Sequence, residues 1–242
     1  MNPPPQRPAP AAPDRGAHTR LQLLAHATRI FAAKGYAATS TREICQAAGA
    51  NVAAIHYYFG DKEGLYRAVL TKPFDEATSR FEGFDDPALP FADAIRRVLE
   101  PFVGMALEQD AAARHVLRLH LREALEPSPV FRDVVARIVV PHHNALAALL
   151  ARHCSLPRPD EGIHELAFAV IAMANDYCIS REFIRMLAPG VLNRRDAQRR
   201  IVDRLVGYSV ALLDHEVAAR RVPAPAPRIR RKAPPASPRK SP

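Results

Sequence analysis

The chain has 242 residues, 48% hydrophobic and only 24% charged, enough for one good core or a core plus a small satellite, and too apolar for a disordered polyelectrolyte. No apolar run approaches the roughly 18–20 residues of a membrane helix, MNPPPQRPAPAAPDRG has no apolar signal segment, and the scattered Cys45, Cys154 and Cys178 form neither a disulfide framework nor a CxxC knuckle. A protein of the reducing cytoplasm, with no membrane partner, is expected. The net charge of +9 is uneven: residues 18–71 hold six basic and three acidic residues, 222–242 hold six basic and no acidic residue, and 72–221 are nearly balanced, with 20 basic and 21 acidic. Positive charge gathered in one small module and one tail points to a polyanionic partner, although +3 over 54 residues is also ordinary surface.

Residues 1–17 and 222–242 hold 13 of the 23 prolines and read as disordered arms. Between them glycine is rare, Ala, Leu, Arg and Glu dominate, and no stretch alternates with period two, which predicts an all-α fold. Leu24, Ala27, Thr28 and Phe31 give a helix over 18–34 that stops at Gly35. Thr39-Ser40-Thr41 followed by Glu43 starts a short second helix ending at Gly49. Val52 to Phe59 forms a short third, with Ile55 and Phe59 facing inward, and Asp61 caps a fourth, whose Leu65, Ala68 and Val69 face in. Longer helices are expected near 90–108, 111–125, 128–153, 159–187 and 195–220, with Pro141 kinking or splitting the third of these. The stripes Ile163 to Cys178 and Val202 to Leu213 are broad enough for more than one neighbour. Core packing and a two-fold four-helix dimer interface are the two readings, the second favoured.

Two short helices joined by a glycine turn, after a longer helix, make the helix-turn-helix pattern. A two-turn helix can enter a major groove end-on while its predecessor crosses the backbone. Asn51, Ala53, Ala54, His56, Tyr57 and Tyr58 crowd small, polar and aromatic side chains onto that helix. Helix-turn-helix topology alone is a weak signal, since any three-helix bundle contains one.

Residues 20–70, RLQLLAHATRIFAAKGYAATSTREICQAAGANVAAIHYYFGDKEGLYRAVL, resemble the DNA-binding domain of the TetR family throughout. The matching features are Phe31, Lys34-Gly35-Tyr36, Thr39-Ser40-Thr41 with Ile44, Ala47-Ala48-Gly49, the aromatic run 55–59 and Lys62-Glu63-Gly64-Leu65. The family's usual Leu-Tyr-x-His-Phe stands here as Ile55-His56-Tyr57-Tyr58-Phe59, with His for the first aromatic and Tyr for the usual His. Residues 122–150 are similar to the C-terminal domain of the CecR-type, YbiH-like branch.

The resemblance implies residues 18–71 as a DNA-binding domain and 72–221 as a helical domain that dimerises and senses a ligand. It implies a homodimeric repressor of drug-, stress-response or transporter genes, bound to a palindromic operator in double-stranded DNA and released by a small molecule. By the same resemblance, Thr41 and Lys62 bond phosphates at helix starts, His56 and Tyr58 touch backbone or base edges, and Ala53, Ala54 and Tyr57 face bases. Arg42 reaches a guanine or is a solvated surface arginine. The alternative function is a non-specific nucleic-acid-binding protein driven by the basic tail.

For the effector, Arg118 and Arg122 share a helix face at i, i+4 and invite an anionic ligand or a structural ion pair. His142 or His143 is read as a polar group in a pocket, since adjacent histidines diverge by about 100° on a helix and do not share a metal. Met105, Phe131, Met173, Asn175 and Tyr177 are candidate pocket wall, with ordinary core as the competing reading. No GxSxG, GxxxxGK[ST], HExxH or dinucleotide loop occurs, so neither an enzyme nor a cofactor is expected.

Overall fold

The computed structural model describes residues 15–81, 83–108 and 111–221, and the described residues form helices joined by turns, with no β-strand among them. In chain order the α-helices are α1 (Arg15–Lys34), α2 (Thr41–Ala48), α3 (Val52–Phe59), α4 (Lys62–Phe81), α5 (Phe91–Leu107), α6 (Ala111–Leu125), α7 (Pro129–Val134), α8 (Val140–His153), α9 (Glu161–Ile179), α10 (Arg181–Leu187) and α11 (Ala197–Arg221). Residues 15–17, read from the sequence as part of a disordered arm, belong to α1. The rest of the N-terminal stretch expected to be disordered, residues 1–14, and the basic segment 222–242 lie outside the described residues.

Two cores form. The first takes Leu23, Leu24, Ala27, Ile30 and Phe31 of α1, Ile44 of α2, Ile55 of α3, and Leu65, Tyr66, Val69 and Leu70 of α4. Burying a side chain such as Phe31 contributes about 1.5–3 kcal/mol. Tyr66 meets Phe31 edge-on at 4.7 Å and Tyr36 at a tilt at 4.8 Å. The second core is built from α5, α8, α9 and α11.

The first core does not stop at residue 71. α4 runs unbroken through that position, and Leu119 of α6 with Val130 and Val134 of α7 complete the same cluster. Buried Glu123 of α6 accepts a hydrogen bond from the Tyr66 hydroxyl and another, of 2.8 Å, from Ser128 N–H. Burial, then that bond to Glu123, pushes the Tyr66 phenol far up. The head is therefore locked to the body by apolar packing and a satisfied polar pair.

Pro141 neither breaks nor stops its helix. The stretch Val135–Val139 widens into a π turn between α7 and α8, and Val140 N–H bonds Val135 carbonyl across it. Pro141 lacks an N–H and its ring would press on the preceding turn, so a widened turn there relieves both problems. The continuous helix Pro129–His153 is, by length and composition, long and apolar enough to cross a membrane, contrary to the expectation of no such run. Val130 and Val134 of this helix lie in the first core and Leu146, Leu149 and Leu150 in the second, while Val139 and Val140 are exposed.

The helix expected over 159–187 is broken at Ser180 into α9 and α10. The broad stripes on α9 and α11 pack within the chain itself: Ile163, Leu166, Val170, Ala174, Val202, Leu205 and Leu213 all lie in the second core. A different face of each helix is exposed, with Phe168 on α9 at 64% and Tyr208 on α11 at 49%.

Candidate nucleic-acid interface and cavity

The head aims its surface residues through short-range hydrogen bonds. Ser40 caps α2 by accepting Glu43 N–H at 3.2 Å, and Glu43 pairs with Lys34 at 2.5 Å. This places Thr41 and Arg42 in the first turn, Thr41 half-buried and Arg42 exposed. Gly49 ends α2 with φ +62, a left-handed conformation that favours glycine. Asn51 caps α3, its side chain accepting Ala53 N–H at 3.1 Å, so it orients the helix as well as lying on its surface. At the other end His56 Nδ1–H donates to Gly60 carbonyl at 2.7 Å, which points Nε2 away from that bond.

α3 thus presents Ala53, His56 and Tyr57. Ala53 and Tyr57, four apart, share the exposed face, and Tyr57 is 82% exposed, with its ring edge-on to Tyr58 at 4.8 Å. Ala54 and Tyr58, read from the sequence as facing DNA, are half-buried against the first core. Lys62 opens α4 and lies with its ammonium 4.4 Å from the centre of the Tyr36 ring. Asp61 Oδ1 accepts Gly64 N–H at 2.7 Å. A Cβ on Gly64 would lie 1.9 Å from the Phe59 carbonyl oxygen, so the close approach of α3 and α4 requires glycine.

The residues read as one pocket separate. A cavity of about 790 Å³ lies among α4, α5, α6, α9 and α10, and only Met105 and Arg118 of the candidates line it. Arg122 lies one turn past the cavity: its guanidinium would be 2.8 Å from a Cβ on Gly35, at the turn after α1. Phe131 packs on the first core, and Met173 and Tyr177 pack on the second. Asn175 is exposed on α9. His142 Nδ1–H donates to Ile138 carbonyl at 2.7 Å. His143 Nε2 lies 2.9 Å from His164 Nδ1, and burial followed by His164 holds His143 below the usual histidine range.

The cavity wall that the sequence did not reveal includes Lys72, Pro101, Arg114, Arg181 and Arg185. No spacing rule connects positions so far apart. α6 carries Val116, Leu117, Arg118 and Leu121 on its cavity side, and Leu119 and Glu123 on the side that meets the head. α4 likewise runs from Lys62 at the surface of the head to Lys72 and Pro73 at the cavity.

Residues 23–69 match the tetR family of bacterial regulatory proteins, and residues 91–213 match the C-terminal domain of the HTH-type transcriptional dual regulator CecR. The chain belongs to the TetR family. Its C-terminal domain is of the CecR type, and a CecR from Shigella flexneri is 31% identical over 153 residues, covering 59% of this chain and 67% of that protein. The transcriptional repressor AcnR from Corynebacterium glutamicum is 30% identical over 122 residues, 50% of this chain and 58% of AcnR. In fold, a TetR-family regulator from Streptomyces coelicolor matches with a TM-score of 0.54 at 20% identity, covering 84% of this chain and 86% of the other. PfmR, a TetR-family regulator from Thermus thermophilus, matches with 0.52 at 24% identity, covering 79% and 97%. TetR-family proteins are DNA-binding transcriptional regulators and not enzymes, and in this member α2 and α3 are the helix-turn-helix.

Proposed function

We propose that this TetR-family regulator is a homodimeric repressor that places α3 in the major groove at each half of a palindromic operator, and that a small molecule in the cavity releases it. The observation that carries this reading is the two-sided α6, one side lining the cavity and the other completing the core of the DNA-binding head. Ala53, His56 and Tyr57 face the bases, Tyr57 projecting farthest. Thr41 and Lys62 bond phosphates at the starts of α2 and α4. Arg42 is exposed beside Thr41 and reaches a base or phosphate from α2. Asn51 sets the angle of α3 from its cap, and Tyr58 supports Tyr57 from behind.

The exposed faces of α9 and α11, with Phe168 and Tyr208, are the surface on which a second copy closes a four-helix interface. The effector works only if it binds better to a conformation whose two α3 helices miss half-sites about one helical turn apart. The CecR and AcnR names support a role in repression or dual regulation, and the proposed targets are drug-, stress-response or transporter genes on the bacterial chromosome, reached in the cytoplasm.

The test is fluorescence anisotropy on the DNA upstream of the chain's own gene, with a scrambled duplex and a salt series. A preference of about 10³ or more for the upstream fragment supports the reading. Equal, steeply salt-dependent binding that disappears on removing residues 222–242 overturns it in favour of a non-specific coat driven by the basic segment. Sedimentation of the free protein and of its complex checks the dimer.

A further inference from the structure

The cavity has a chemical character that neither the family nor the relatives' names assign. Its described lining holds five permanent cations, Lys72, Arg114, Arg118, Arg181 and Arg185, against two acids, Glu108 and Glu182. Glu182 is already paired with Arg185 at 2.9 Å. This enrichment is local, because residues 72–221 as a whole carry one more acid than base. Apart from His115, the remainder of the wall is largely apolar, with Pro101, Met105, Val116, Leu117, Leu121 and Ile179.

Arg181 is the most constrained of these cations. Its Nη1 and Nη2 donate to the carbonyls of Glu108 and Leu107, at the open end of α5, which fixes the guanidinium plane. Its Nε is buried and has no hydrogen-bond partner among the described residues. Burial, then the neighbouring Arg185, with Arg114 adding to it, pull its pKa below the usual arginine value. A rigid, partly desolvated guanidinium in the field of further arginines is stabilised by any anion that reaches it.

We propose that the effector is an amphipathic organic anion, with one carboxylate or sulfonate head held by Arg118, Arg181 and Arg185 and an apolar body packed against α5, α6 and α9. This inference rests on the cavity being the effector site. The volume of about 790 Å³ falls in the range of roughly 300–1,000 Å³ that holds drug-sized ligands. Because Arg118 belongs to α6, an anion drawn to this cluster pulls on a helix that also completes the core of the head. A neutral molecule of the same shape fills the same apolar wall without relieving the repulsion among the arginines. A cationic one adds to that repulsion.

The experiment uses the full chain and matched probes. Decanoate, decanol and decylammonium, and naphthoate with its neutral alcohol, are titrated by calorimetry and then added to the protein–operator complex. At least one of the two anions is expected to bind about tenfold or more tightly than its neutral analogue, with the cation weakest, as charge-assisted hydrogen bonds to a held guanidinium require. Arg118→Met, at an exposed rim position, is expected to weaken the anion about tenfold and leave the neutral analogue unchanged. Arg181→Lys keeps the charge, loses the planar fork, and is expected to weaken the anion as well. Neutral probes binding as tightly as the anions, or anions indifferent to Arg118→Met, overturn the proposal. Binding with the expected selectivity while operator DNA stays bound upholds the anion site and overturns the release reading. Release by a neutral compound that competes for the cavity does the reverse.

Discussion

In the head, the residues of the proposed nucleic-acid face come from positions 41–62, and the bonds that aim them span no more than four residues: Ser40 to Glu43, Asn51 to Ala53, His56 to Gly60, and Asp61 to Gly64. The cavity draws its wall from positions 72 to 185 and from five helices, and its most constrained cation, Arg181, is tied to carbonyls more than seventy residues away. The first surface is a local construction carried on a small core; the second exists only where distant helices meet. The two therefore respond to different perturbations, and they share α4 and α6, which belong to both.

The strongest way to break the head alone is Gly64→Ala. A Cβ 1.9 Å from a backbone oxygen forces α3 and α4 apart, and a loss of about 2–3 kcal/mol in denaturant unfolding, with loss of operator binding, is expected. Next, Tyr66→Phe leaves Glu123 buried with one partner fewer, which costs about 1–3 kcal/mol and loosens the joint between head and body. The comparison is sharpened if its proteolysis sites appear at the α4–α6 junction while calorimetric binding at the cavity persists.

Tyr57→Ala acts on the surface only. At 82% exposure it leaves the unfolding midpoint unchanged, while discrimination between operator and scrambled DNA falls by about 1–3 kcal/mol; competition assays that find discrimination intact would place the reading face elsewhere on α3. Lys62→Ala is expected to weaken all duplexes alike and to lower the salt slope by about one.

The smallest effect lies at the far end of the body. Asp160 caps α9 by accepting Ile163 N–H at 3.0 Å and takes both terminal nitrogens of Arg220 on α11, at 2.7 and 2.9 Å. That pairing holds its carboxyl down at about 2 against the usual 3.8. A carboxylate depressed in the folded state stabilises the fold above its unfolded value and loses that contribution as pH falls through the folded one. The midpoint of thermal unfolding of the native chain should therefore lead that of Asp160→Asn near neutral pH, and the lead should shrink as pH drops from about 4 to about 2. DNA binding at neutral pH should not distinguish the two.

How much was legible followed the same division. The periodicity of Leu24, Ala27 and Phe31, the caps at Ser40 and Asp61, and the stop at Gly49 are local signals, and each is where the folded chain has it. Asn51 counts in the sequence among the polar and aromatic residues of a DNA-facing helix; only the 3.1 Å bond to Ala53 shows it capping that helix. Arg118 and Arg122 share a helix face in projection, yet the cavity ends between them, so one lines it and the other covers Gly35. Phe131, Met173 and Tyr177 have the composition of a pocket wall and the positions of core residues, a distinction that hydropathy does not carry. The break at Ser180 separates α10 from α9 and sets Arg181 against the end of α5.

By itself the sequence determined the all-α class and the helix-turn-helix, because helix ends and amphipathic faces depend on residues one to four positions apart. The tertiary structure decided where the head meets the body, that the broad stripes of α9 and α11 pack into the core of the same chain, and that arginines from two helices and a lysine from a third line one cavity. Those outcomes depend on which helices pack together across long stretches of chain, and packing of that range leaves no periodic trace in the sequence.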